Sequence, residues 1–531
     1  MLQKFHYFHS KKKRKNNIHT IDKFPIYDYL SNRNEISPEN LKIFEEKHTK
    51  ILDIYDFILA LVIWILSFCI RSHNLIHPPS VSFDETFFGN FTNYYYKKSY
   101  FIDIHPPLGK IILYVGAKIN GYKGKCEFIP ATEYKKDCGY HLIRQVISFY
   151  SSFCPAFSYL ALRFFNIQKN FALSGALMIV FEECFIIEGK FILTDGILHT
   201  FVAIAIFFIG KLFSIDASSK RCNKYYLIMC IFVSIACSIK QTAWSLLGLC
   251  YFIYLLQIFS DSLYKSKGKF KITLFTTCFI QLLKLFLIFL SIYIFIACIH
   301  VMLIPNYNNE FSGIICPKCI SNYKESKIEW EKCKKVPLII RVIKLLLNMN
   351  KTNMGMCYNE GLPSRWWKWP LMDNQLIHFY NKDGKQIILH LNIFNSCVVF
   401  LFVFITIFII YFSWFESGSN NETMKKTLSS LIFLIGYLIS FLPFWLIPRS
   451  TYLYHYSIPL LFGIYLVAAD INILFQKYPK TAVCLSIFIV FGSITSFIIY
   501  MPLTYGWKLD NSKFRKLMLR NQWILDRRNL M

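Results

Sequence analysis

The chain has 531 residues, of which 54% are hydrophobic, 18% aromatic and only 17% charged. So apolar and weakly charged a composition excludes a mainly disordered chain and argues against an ordinary soluble enzyme. Lys and Arg number 59 against 32 Asp and Glu, a net charge of +27; such a balance suits nucleic acid, an anionic membrane or an anionic substrate, and the apolar runs select the membrane over nucleic acid.

Residues 1–50 are polar and carry the cluster Lys11, Lys12, Lys13, Arg14 and Lys15, which predicts a basic tail kept in the cytoplasm, with no secretory signal. A bilayer-crossing helix needs about 20 mostly apolar residues. Eleven runs fit, near 51–70, 146–165, 170–187, 191–213, 224–240, 242–259, 279–303, 390–414, 427–447, 451–474 and 481–501. The prediction is an all-α polytopic membrane protein. Its N-terminal module, 51–303, includes a long non-cytoplasmic loop at 71–145. A second loop follows at 304–389, then membrane helices over 390–501 and a non-cytoplasmic tail at 502–531. The basic residues of that tail oppose the positive-inside rule, and the first helix is given the greater weight in setting orientation.

Several segments hold chemistry that packing alone does not require. The first loop opens with Phe83-Asp84-Glu85 among aromatics. An apolar setting raises a carboxylate's pKa and suits it to general-base work, whereas the structural alternative is an acidic helix start. Next comes Phe101 through Lys110, containing Asp103 and His105-Pro106-Pro107. This reads either as a rigid turn aiming Asp103 and His105 or as a proline-led helix entry. Arg144, Lys190, Lys240 and Arg449 recur at helix ends on the predicted non-cytoplasmic face. Each alone would snorkel, but four together suggest a bound anion such as a lipid phosphate. Ser364 through Leu371 contains Trp366, Trp367 and Trp369, a group suited to headgroup anchoring or sugar stacking. His455 lies in the Tyr-rich entry to the tenth run, and Pro502 through Gly506 follows the last.

Together these segments resemble the protein O-mannosyltransferases, polytopic enzymes of the GT-C class. The family's FDE motif is matched by Phe83-Asp84-Glu85, its HPPLGK by His105 through Lys110, and its Y-x-x-x-R by Tyr140 and Arg144. Its S-R-Y-I-L-L-D is matched loosely by Gly189 through Asp195, with Lys190 in the arginine place. Its S-x-K-W is matched by Ser238 through Lys240, with Gln241 in the tryptophan place, and its SxPWxWPL by Ser364 through Leu371. Leu442-Pro443-Phe444, Arg449, Tyr454 through Leu460 and Pro502 through Gly506 match the closing motifs. The ordered set runs from about 50 to 506.

The resemblance implies a GT-C fold with about eleven transmembrane helices and two large luminal loops in the endoplasmic reticulum membrane. The amino terminus would be cytoplasmic and the carboxyl terminus luminal. It implies inverting transfer of mannose from dolichyl phosphate mannose to Ser or Thr hydroxyls of proteins. Asp84 would be the general base and Glu85 would orient the acceptor, or the two would exchange these roles. Arg144 would bind the lipid phosphate, with Lys240 and Arg449 behind it; His105, Asp103 and His455 would contact sugar or serve as ties. Trp366, Trp367 and Trp369 would form an acceptor or interface loop. No metal or other cofactor is implied. A dimer with another family member is expected. The segment 304–389 is too short for the three MIR repeats usual in eukaryotic members.

In an oxidising lumen Cys126 with Cys138, and Cys316, Cys319, Cys333 and Cys357, are expected to form disulfides, with zinc as the lesser alternative for the last four. Asn90 and Asn350 stand in luminal sequons. Competing readings are a transporter, another GT-C transferase acting on lipid, or a non-catalytic subunit.

Overall fold

The computed structural model describes residues 52–214, 220–264, 272–312, 323–355, 364–373, 376–416, 421–448 and 450–523. The tail 1–50, Arg449, Cys316, Cys319 and Cys357 lie outside the described residues.

The described residues are mostly helical. α1 (Ile54–Ser72) enters the bundle, and α2 (Glu85–Tyr96) and α3 (Leu108–Ile119) lie in the first loop. α4 (Tyr140–Ser151), α5 (Phe153–Phe164), α6 (Lys169–Val180), α7 (Glu183–Glu188), α8 (Asp195–Phe213), α9 (Lys220–Cys237), α10 (Ser245–Tyr264) and α11 (Ile272–Leu303) complete the first half. The second loop contains α12 (Tyr323–Lys334), α13 (Leu338–Gly355) and a hairpin of β1 (Ile377–Lys382) and β2 (Lys385–Leu389). α14 (Ile393–Glu416), α15 (Asn421–Phe441), α16 (Ser457–Lys477) and α17 (Pro479–Tyr505) follow, and α18 (Asn511–Leu517) lies in the tail.

The apolar runs are largely helical, and the one at 146–165 is divided between α4 and α5. Among the described residues, seven helical segments are long and apolar enough to cross a bilayer. The run at 170–187 is two helices, broken where Glu182 leaves helical geometry. The break is satisfied from a neighbouring helix. Asn392 Nδ2 donates to Phe181 O (3.0 Å), and Glu182 accepts from Asn392 N (2.6 Å) and Asn395 Nδ2 (2.9 Å). Freed backbone groups inside a bilayer require such partners.

Side-chain ties define two ends of the bundle. At one end Lys169 bonds Asp53 (2.5 Å), Arg163 bonds Asp56 (2.9 Å) and Asn472 accepts from Gln168 N (3.1 Å). At the other, Lys382 of the hairpin reaches Glu133 of the first loop (2.8 Å), and Leu509 N of the tail donates to Gly384 O (2.9 Å). Arg520 bonds Asp373 (2.9 Å), and Trp523 Nε1 donates to Met372 O (3.0 Å). Both loops and the tail therefore share one face. Gly506 closes α17 at φ 68°, and an added Cβ there would come within 2.7 Å of His77 Nε2, so PLTYG must end in glycine.

Candidate functional site

Asp84 and Glu85 are adjacent and part company. Asp84 stands at the N-cap position of α2, without a side-chain capping bond, and Glu85 is the first helical residue, so the acidic helix start is real. Glu85 turns inward and is fully buried. It accepts from Arg144 Nε and Nη2 (both 2.8 Å), Ser82 N (3.1 Å), Tyr134 OH (3.1 Å) and Ile192 N (3.0 Å). The carboxylate expected to orient an acceptor is instead a buried joint between the first loop and the chain ahead of α8.

Asp84 stays partly exposed. Phe83, immediately before it, has φ 48°, a region a bulky side chain enters only under constraint. The constraint is aromatic: the Phe83 ring lies 5.3 Å from Phe379, 6.2 Å from Tyr452 and 5.9 Å from Tyr454. The hairpin and the entry to α16 thus fix the backbone that aims Asp84.

Arg144 departs from expectation. It is buried and its guanidinium is committed. Besides Glu85, it donates to the carbonyls of Leu75 and Pro78 (3.0 Å each) and Ser80 (3.5 Å). A guanidinium has five N–H groups, and these contacts use them all. Burial opposes its charge, but Glu85 more than offsets that and holds the group above its ordinary pKa. A phosphate would have to break this set, so Arg144 is a frame residue here.

Lys240 is also buried, and a single carboxylate holds it. It follows α9 in extended geometry. Its Nζ bonds Asp195 Oδ1 (2.7 Å) at the start of α8 and stands 4.6 Å from the Tyr454 ring. Tyr454 therefore touches both the Phe83–Asp84 turn and Lys240. The first loop is pinned to the same turn: Leu108 N donates to Ser238 O (3.1 Å), and Gly109 fits against Ile239 and Thr194.

Asp103 is held within its own segment. Lys110 Nζ bonds Asp103 (2.5 Å) and the carbonyls of His105 (2.8 Å) and Pro106 (3.0 Å). Burial pushes the Lys110 pKa down while Asp103 counteracts it. HPPLGK is thus a self-tied turn, with Pro107 capping α3. His455 is buried, stacks 4.2 Å from Tyr454 and lies near-parallel to Trp369 at 6.2 Å. Lys190 donates to His73 O (2.7 Å) and lies 4.0 Å over Tyr505.

The three tryptophans separate. Trp369 is fully buried, donates to Ser364 Oγ (2.7 Å) and packs on Phe444; it is core and not a loop for an acceptor. Trp366 packs on Phe441, while Trp367 is exposed and lies beside Arg365. Cys126 and Cys138 form a disulfide, and Cys333 is disulfide-bonded. Asn90 is turned inward, its amide donating to Phe128 O (3.1 Å), so glycosylation there would break a contact in the disulfide loop. Asn350 is exposed on α13. No three His, Cys, Asp or Glu side chains converge as a metal site among the described residues.

Sequence reasoning passed over Tyr134, Phe379 and the intramembrane set Glu188, His199 and Ser457. There His199 Nε2 lies 2.8 Å from Ser457 Oγ and 3.2 Å from Glu188. The available signal was ionisable residues inside apolar runs, which seldom occur without partners.

Two family models match, the dolichyl-phosphate-mannose-protein mannosyltransferase model over 61–304 and the C-terminal four-membrane-helix region of protein O-mannosyltransferase over 339–523. The chain belongs to the protein O-mannosyltransferase family. It is 25% identical over 287 residues to dolichyl-phosphate-mannose–protein mannosyltransferase 6 of Saccharomyces cerevisiae, covering 52% of this chain and 38% of that one. It is 34% identical over 146 residues to protein O-mannosyl-transferase 2 of Danio rerio, covering 28% and 19%. The chain thus spans well under half the length of these relatives. The fold is that of a chain in the S. cerevisiae protein O-mannosyltransferase Pmt1–Pmt2 complex bound to the sugar donor, with TM-score 0.78, 15% identity and coverage of 96% and 95%. Family and fold make this a multi-pass membrane protein of GT-C type.

Proposed function

We propose that this chain transfers mannose, with inversion, from dolichyl phosphate mannose to Ser or Thr hydroxyls of secretory and membrane proteins at the luminal face of the endoplasmic reticulum. Asp84 takes the hydroxyl proton as the oxygen bonds to the anomeric carbon, and the bond from that carbon to the lipid phosphate breaks. The leaving phosphate needs fixed positive charge and no general acid. Lys240, poised by Asp195, supplies that charge. Arg144 and Glu85 hold the first loop so that Asp84 faces it. By analogy with the Pmt1–Pmt2 complex, the chain works paired with another family member.

The observation that carries this reading is the Tyr454 bridge: one ring contacts Phe83, beside the base, and Lys240, the candidate phosphate ligand. The test is a microsomal assay with labelled dolichyl phosphate mannose and a Ser/Thr peptide. Label should reach the peptide with the wild-type chain and fail to with Asp84→Asn at equal membrane abundance. Transfer by Asp84→Asn at the wild-type rate overturns the assignment.

A further inference from the structure

α13 lies within the matched C-terminal family region but carries none of the short motifs named above, and it has three distinct faces. Val342, Leu345 and Met349 are buried, and the helix packs across α11. A second face carries Ile339, Ile340, Ile343, Leu347 and Met354, all exposed, Leu347 by 65%. Its positions recur at helical spacing, so they form one apolar stripe. The third flank carries Arg341, Lys344, Asn348 and Lys351. An exposed apolar stripe with a basic flank is the composition of a helix lying in the plane of a bilayer surface.

α11, across which α13 packs, holds a stretch long and apolar enough to cross a bilayer, Cys278–Leu303. Along one side α11 exposes Phe279, Leu283, Phe286 and Leu290, and towards its carboxyl end Phe295 and Met302 are exposed on another side. α13 is also tied to the turn after α9. Asn353 Nδ2 donates to Gln241 Oε1 (3.0 Å), and Gln241 Nε2 lies 3.4 Å from Asn350 Oδ1. Three residues beyond Gln241 stands Trp244, part-exposed, and exposed Trp445 and Trp367 border the same end of the bundle. Tryptophans gather at the headgroup level.

We propose that the exposed stripe of α13 seats in an anionic lipid surface, on the face that carries Asp84 and Lys240. Gln241 is the latch joining the seated helix to the turn that bears Lys240. The latch uses the residue that stands where the family motif has tryptophan, and a side-chain amide is what allows two asparagines to bond there. The basic flank selects an anionic headgroup layer over a neutral one. This seating stands apart from the transfer chemistry and is measured without it.

The test uses the full-length chain in nanodiscs of phosphatidylcholine, with or without phosphatidylglycerol. A spin label is placed through a ketone-bearing unnatural residue, so that native cysteines stay untouched. Labels at Ile343 and Leu347 should collide with oxygen several-fold more, relative to an aqueous nickel chelate, than labels at Lys344 and Asn348. Phosphatidylglycerol should widen that difference. Gln241→Ala should raise the mobility of the Leu347 label. Equal access of the chelate to both faces would overturn the seating. So would protection of the stripe from both reagents, because a second copy or another protein would then cover it. Unchanged mobility in Gln241→Ala would overturn the latch.

Discussion

Glu85→Gln tests the division of labour between the two adjacent carboxylates. In the folded chain Glu85 accepts five hydrogen bonds, two of them from Arg144, and both side chains are buried. A carboxamide keeps the shape but has one acceptor oxygen, and its NH2 must face another donor. The larger loss is the charge, because Arg144 is left buried without its anion. Breaking a buried pair from one side costs about 3–5 kcal/mol. Folded proteins are stable by only about 5–15 kcal/mol, so the variant should lose a large fraction of its margin. The assay is thermal unfolding of purified protein in detergent, followed by tryptophan fluorescence, alongside peptide mannosylation normalised to folded protein. The expected result is a midpoint lowered by several degrees, with normalised transfer largely kept below the transition. A variant as stable as wild type but inactive would refute the framing role and move Glu85 into the chemistry.

Asp84→Asn should show the converse, with transfer reduced by about 10²–10⁴-fold while the fluorescence-detected midpoint stays near wild type. Lys240→Ala should raise the KM for the lipid donor far more than the KM for the peptide, and an unchanged donor KM would remove it from the phosphate. Trp369→Ala should destabilise the fold by about 3–5 kcal/mol, because it empties a packed core position, whereas Trp367→Ala should leave the unfolding midpoint unaltered. His378, in β1, is half-buried, and desolvation pushes its pKa down, while its contact to Trp523 O (3.1 Å) works the other way. A histidine kept neutral by folding contributes stability above its unfolded pKa of about 6.5 and loses it as pH falls further. The tail should therefore become more sensitive to protease below about pH 6.5, and His378→Gln should flatten that dependence.

The apolar runs alone determined that this chain is a helical membrane protein, because a bilayer admits only segments that satisfy their own backbone. The order of short motifs likewise determined the family. Sequence could not tell Asp84 from Glu85, since adjacent residues of one type differ only in which way the chain turns. That turn is set by Phe379 and Tyr454, about 295 and 370 positions downstream. Nor could it tell how differently Arg144 and Lys240 are held. One is enclosed by Glu85 and three carbonyls contributed by the first loop, and the other is paired with Asp195 alone beside a tyrosine ring at the entry to α16. Charge type is written in the sequence. Whether a charge is already neutralised depends on which distant groups the fold brings within hydrogen-bonding range, and only the tertiary structure decided that.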